Sequence, residues 1–80
     1  MEKEEIVEKV KSIIEDVLED EDVDVDINST TENTEGWDSL SHILIMSDIE
    51  DEFEIDIPTN MMQKMKSVSE IVDFILKAKE

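Results

Sequence analysis

The sequence predicts an all-α fold: a small four-helix bundle of three main helices and one short one, with a long first loop. Two observations carry this. Apolar residues recur at helical spacing in three separate stretches, and polar residues suited to capping helices stand ahead of the later ones. Two runs, Val23-Asp24-Val25-Asp26-Ile27 and Phe53-Glu54-Ile55-Asp56-Ile57, alternate like strands. Pairing them would set like charges opposite each other, so both are read as extended segments whose apolar residues pin loops to helices.

The first helix is expected over residues 3–19, where Ile6, Val7, Val10, Ile13, Ile14, Val17 and Leu18 form one stripe. Glu2, Glu4 and Glu5 sit in its first turn, where the helix dipole favours anions. From Asp20 the chain turns polar up to Asp38, a connection long enough to imply turns of its own or a function. The second helix is expected over 38–54, opening at Asp38 or Ser39, with Asp38 as its N-cap after the only glycine, Gly36. The only proline, Pro58, precedes Thr59, read as the cap of a short helix reaching about Met65 (59–65). Ser67 and Glu70 have capping-box spacing ahead of Val68, Ile71, Val72, Phe74 and Ile75, which gives a last helix over 68–78.

Eighty residues make one domain, 1–80, with a core too small for more than a few packed helices. There is no cysteine, so neither a disulfide nor a thiolate metal site holds it together. No apolar run approaches a membrane span, and the charged, amphipathic N-terminus is not a signal peptide; a soluble cytoplasmic chain is expected. The net charge is −17, and its distribution is informative. Between Ser12 and Gln63 there are seventeen Asp and Glu and no Lys or Arg. Such a field repels nucleic acid and anionic membranes and attracts basic partners.

On a helical wheel the second helix has two apolar arcs. Ile45, Met46, Ile49 and Phe53 share one, the core face, with His42 at its edge. Leu40, Ile43 and Leu44 fall on the far side with Ser47, and are read as a partner surface. Ser39 lies between the arcs in the first turn, where free backbone N–H groups and the dipole favour a phosphate.

Two other chemistries have a hook in the sequence. Asp24, Asp26, Asn28 and Glu35 match the first, third, fifth and twelfth positions of a calcium-binding EF-hand loop. Ser29 stands where that loop needs glycine, however, and Gly36 stands where its exit helix should be running. Ser39 and His42 are neighbours at i, i+3, but Gly-Trp-Asp-Ser is not a nucleophile elbow and there is no second histidine. Neither a metal site nor a catalytic residue is assigned.

Gly36-Trp37-Asp38-Ser39-Leu40 resembles the Asp-Ser-Leu attachment motif of the acyl carrier protein family. Glu52-Phe53, Ile57-Pro58 and Val68 stand where that family has a helix end, a turn and the start of its last helix. The resemblance runs without gaps from Gly36 to about Ile75 and more loosely back through the first helix. It implies a four-helix carrier, not itself an enzyme, with 4′-phosphopantetheine attached to Ser39 as a phosphodiester. A Mg²⁺-dependent phosphopantetheinyl transferase would supply the arm from coenzyme A, and acyl groups would ride on its thiol as thioesters. By the same resemblance Asp38 serves the transferase as well as the helix. Asp38, Glu50, Asp51 and Asp56 form the acidic surface offered to Lys/Arg patches of acyl-transferring, ligating or synthase enzymes, and Leu40 and Ile43 add apolar contacts. Met46, Ile57, Met62 and Met65 would line a cargo pocket, with bulky Met62 favouring short or polar cargo.

Departures from the family pattern bear on the pathway. Ser41 and Leu44 replace residues that are often acidic in fatty-acid-synthesis members, and Thr31 and Glu35 replace commonly apolar loop positions. Trp37 is more reminiscent of carriers in secondary or cell-envelope pathways. A monomer is expected. An aminoacyl or peptidyl carrier using the same Ser39, an unmodified acidic adaptor and a calcium-binding protein are the alternatives.

Overall fold

The computed structural model describes residues 2–19 and 25–79. Four helices follow in order: α1 (Lys3–Leu18), α2 (Ser39–Phe53), α3 (Thr59–Lys64) and α4 (Val68–Ala78). No strand is present among the described residues, only an isolated antiparallel bridge between Thr30 and Ser67.

Helix α1 packs against both α2 and α4. It contributes Ile6, Val10 and Ile14, each spaced by four residues and fully buried. From α2 come Ile45, Met46, Ile49 and Phe53, the arc that the wheel assigns to the core. From α4 come Val68, Ile71, Val72 and Ile75, while Phe74 is only partly buried. Helix α3 buries no residue, although Met65 just after it does enter the core. One exposed ion pair, Lys9 to Glu52 at 3.7 Å, joins α1 to α2; such a pair adds at most about 1 kcal/mol. Burial of apolar stripes therefore holds the bundle against the repulsion of its acids.

Caps define most of the boundaries. Asp38 is the N-cap of α2, its carboxylate accepting the Ser41 N–H. Ser67 caps α4, accepting the Glu70 N–H at 3.2 Å and donating its own hydroxyl to the Glu70 carboxylate at 2.9 Å. Thr59 is not a cap: Pro58 occupies that position and Thr59 is the first helical residue of α3. The fixed φ of proline suits the entry, and Met61 and Met62 N–H both bond the Pro58 carbonyl. Helices α1 and α2 end on Glu19 and Glu54 in the left-handed conformation more usual for glycine, so no glycine signal marks either end.

The connection between α1 and α2 is a folded loop. Asp26 accepts the Asn28 N–H at 2.8 Å, and Asn33 accepts the Thr30 N–H at 2.7 Å, so side chains supply the turns. Val25 is fully buried and Ile27 partly so, which pins the loop as expected; Val23 and Asp24 lie outside the described residues. On its other side the loop is tied to the α3–α4 junction, with Thr31 N–H bonding the Lys66 carbonyl and Val68 N–H the Ser29 carbonyl. Ser29 and Thr34 of the loop are buried. The loop thus delivers residues 36–38 to the start of α2 in one arrangement.

Candidate functional site

Gly36 sits at φ +90°, a conformation costly for any residue with a Cβ, and it turns the chain into the approach to α2. Its carbonyl accepts the Asp38 N–H at 3.1 Å and the Ser41 hydroxyl at 2.8 Å. Asp38 then accepts the Ser41 N–H at 3.0 Å, and its carbonyl accepts the His42 N–H at 2.8 Å. The Ser41 N–H holds the Asp38 carboxyl below its ordinary range, even though the side chain is open to solvent. These bonds hold Ser39 in the first turn with its side chain exposed.

Ser39 opens on a cleft of about 630 Å³ between the start of α2 and α3. Asp38, Trp37, His42 and Ile43 line one side; Thr59, Met62, Gln63 and Lys66 line the other, with Thr31 from the loop. Trp37 is buried, and its indole Nε1–H donates to His42 Nδ1 at 3.0 Å. His42 Nε2 meets the Met62 carbonyl. An indole N–H can only donate, so Nδ1 carries the lone pair and Nε2 the proton: the imidazole is neutral and bridges Trp37 to α3. Both ring nitrogens are therefore engaged, and neither is left to act as base toward Ser39.

Leu40, Ile43 and Leu44 are 71, 62 and 52 % exposed, the large apolar side chains that α2 leaves in water. Asp51 and Asp56 are exposed as well. Glu50 differs from the sequence expectation. It is only half-exposed, and its carboxylate accepts the Ile57 N–H at 2.8 Å, which fastens the α2–α3 turn. The pocket residues separate as well. Met62 lines the cleft at Ser39, whereas Met46, Ile57 and Met65 are buried in the core cluster and do not line that cleft.

Of the EF-hand positions, Asp26, Asn28 and Glu35 are among the described residues. Asp26 is committed to the Asn28 N–H, Asp24 lies outside the described residues, and no group of three His, Asp or Glu side chains converges among the described residues. No helix is long and apolar enough to cross a membrane, over the same residues. The His42–Trp37 pair was missed by sequence reasoning. The two residues are five apart across a helix start, a spacing that no helical rule pairs.

Residues 8–75 match the family model described as a phosphopantetheine attachment site. The chain is 35 % identical over 75 residues to an acyl carrier protein of Prochlorococcus marinus, covering 94 % of each chain. It is 33 % identical over 70 residues to one of Clostridium acetobutylicum, covering 88 % of this chain and 91 % of that one. A third, from Cyanidioschyzon merolae, is 29 % identical over 80 residues, covering all of this chain and 88 % of the relative. The fold matches the solution structure of a holo acyl carrier protein from Geobacter metallireducens with a TM-score of 0.80, at 23 % identity, over 92 % of this chain and 85 % of that one.

Proposed function

The chain belongs to the acyl carrier protein family, whose prosthetic group is 4′-phosphopantetheine, and on that premise we propose that Ser39 is the residue that receives the arm. One observation carries the assignment: among the serines, Ser39 is the one that lines the cleft at the start of α2. The others close to it are occupied. Ser41 gives its hydroxyl to Gly36, Ser67 is the cap of α4, and Ser29 is buried. When bound, the group supplies the thiol that this cysteine-free chain lacks, on which acyl groups are held as thioesters.

The residues present fit the group. The hydroxyl of Ser39 is exposed, and the first-turn N–H groups and the dipole of a fifteen-residue helix favour an anion there. Asp38 is the opposing charge, and the Ser41 N–H already engages it. Lys66 is the cation that lines the cleft. The chain's work is to hold Ser39 at an accessible helix start and to present it to other enzymes. The family supports reading the chain as a carrier and a substrate of other enzymes, and both nitrogens of His42 are engaged away from Ser39.

Leu40, Ile43 and Leu44 beside Ser39 form the contact surface for those enzymes, the transferase among them, with Asp51 and Asp56 drawing in Lys/Arg patches. Ser41 and Leu44 in place of acids shift that surface from charge toward apolar contact, which suits a pathway other than housekeeping fatty-acid synthesis. The protein acts as a soluble cytoplasmic monomer. Incubation with coenzyme A, Mg²⁺ and a broad-specificity phosphopantetheinyl transferase should raise the intact mass by one phosphopantetheinyl group. Ser39→Ala should abolish the increase, and a folded wild type that gains no mass would sink the proposal.

A further inference from the structure

We propose that His42 is a proton-sensitive positioning residue: as a neutral imidazole it fastens α3 to Trp37 and the start of α2, and on protonation it lets go, releasing the α3 wall of the cleft at Ser39. Its bearing on attachment rests on the Ser39 reading. The clasp itself stands on the geometry alone.

One imidazole joins three segments of the chain. Its Nδ1 accepts the indole N–H of Trp37, at the end of the α1–α2 loop, and its Nε2 donates to the Met62 carbonyl, twenty residues along the sequence. Helix α3 ends at Lys64, so this carbonyl belongs to its last turn. Among the described residues no backbone N–H bonds it, and His42 is the only side chain of another element that bonds to α3. Helix α3 buries no side chain of its own, and its Met61 and Met62 are only partly covered. An element with so little burial opens locally at small cost, so the His42 bond is a principal hold on it.

Both bonds together require the neutral ring. A protonated imidazole carries a hydrogen on each nitrogen, so Nδ1–H would face the indole N–H donor to donor at 3.0 Å. One ring must withdraw. Trp37 is enclosed, at 3 % exposure, whereas His42 is half-buried and borders the cleft, so the imidazolium is the group that swings outward. Two charges line that cleft, Asp38 from the start of α2 and Lys66 from beyond α3; the other lining residues apart from His42 are uncharged. The Ser41 N–H holds the Asp38 carboxyl below its ordinary range, so it stays an anion while histidines titrate and draws the imidazolium toward it. Lys66 opposes this pull. Once the ring has swung, the Met62 carbonyl loses its donor and α3 its hold on α2. The cleft at Ser39 then has a fastened state and a released one, set by a single proton.

The test is an NMR titration of the full, unmodified chain from about pH 7.5 to about pH 5, where histidine titrates and carboxylates stay mostly ionised. It follows the ring nitrogens of His42 and the protection of the Trp37 indole N–H against hydrogen exchange, corrected for the intrinsic pH dependence of exchange. As Nδ1 gains its proton, that protection should fall roughly fivefold, the equivalent of one hydrogen bond. The amides of α3 should lose protection over the same range, while those of α1 and α4 keep theirs. His42→Gln retains an acceptor for the indole and a donor for Met62 but does not titrate, so it should hold both protections constant. Unchanged protection of Trp37 and α3 in a chain whose His42 has become charged would overturn the clasp. So would a His42 that stays neutral throughout, or the same loss of protection in His42→Gln. Should that variant fail to fold, the wild-type titration decides alone. The chain carries no arm in this experiment, so failure of the clasp is distinct from failure of attachment at Ser39, which the intact mass reads.

Discussion

Truncating Ile43 to alanine separates the partner face of α2 from its core face. Ile43 is 62 % exposed, so a little over a third of its side chain leaves water on folding. Full burial of such a side chain is worth about 1.5–3 kcal/mol, so the truncation should cost about 0.5–1 kcal/mol. Ile49 lies two turns on and is fully buried; Ile49→Ala should cost about 2–5 kcal/mol. A domain of this size has about 4–12 kcal/mol to lose, so the second variant approaches unfolding while the first does not. Urea denaturation followed by circular dichroism measures both. The rate of phosphopantetheine transfer, taken at protein concentrations below KM, measures the partner contact. Ile43→Ala should slow transfer several-fold with its fold intact. Equal stability losses for the two variants would refute the division of α2 into faces, and an unchanged transfer rate in Ile43→Ala would refute its contact role.

Three further outcomes follow from individual bonds. Glu50→Ala removes the acceptor of the Ile57 N–H and should cost about 1 kcal/mol by the same denaturation, since the bond is charge-assisted but half-exposed; a neutral effect would show that the turn stands without it. Ser67→Ala should cost about 1 kcal/mol through loss of the α4 cap, with Ser67→Asp restoring most of it. Asp38 has a lowered folded-state pKa, so its contribution to stability is present above its ordinary value of about 4 and lost as pH falls through the lowered value. The stability of the wild type relative to Asp38→Asn should therefore decline as pH drops below about 4, and a rising difference would reverse the sign of the argument.

The helices were legible because their signals are local. Apolar spacing found the stripes, and Asp38 and Ser67 announced their helices through side chains that bond three residues on. The core face of α2 followed from the wheel alone, as did its exposed arc. What escaped depends on partners distant in sequence or on unusual backbone. Glu50 was read as a free surface acid because nothing nearby reveals that the chain returns Ile57 to it after the turn. The Thr30–Ser67 bridge joins segments nearly forty residues apart, and neither segment alternates as a strand. Thr59 looked like a cap by residue type, but the restricted backbone of Pro58 fills that place. At the site, the serine and its apolar flank were readable. The Trp37–His42–Met62 bridge was not, since its third member is a backbone carbonyl that carries no sequence signal.

Ser41 is the chemical rival nearest to Ser39, two residues along the same helix start, and it supplies the most direct test of the assignment. Electron-transfer fragmentation of the loaded protein localises the added group between backbone cleavages on either side of each serine. The account predicts the whole addition on Ser39, with Ser41 unmodified because its hydroxyl is held by the Gly36 carbonyl. An addition found on Ser41, or on any serine outside the cleft, would contradict it.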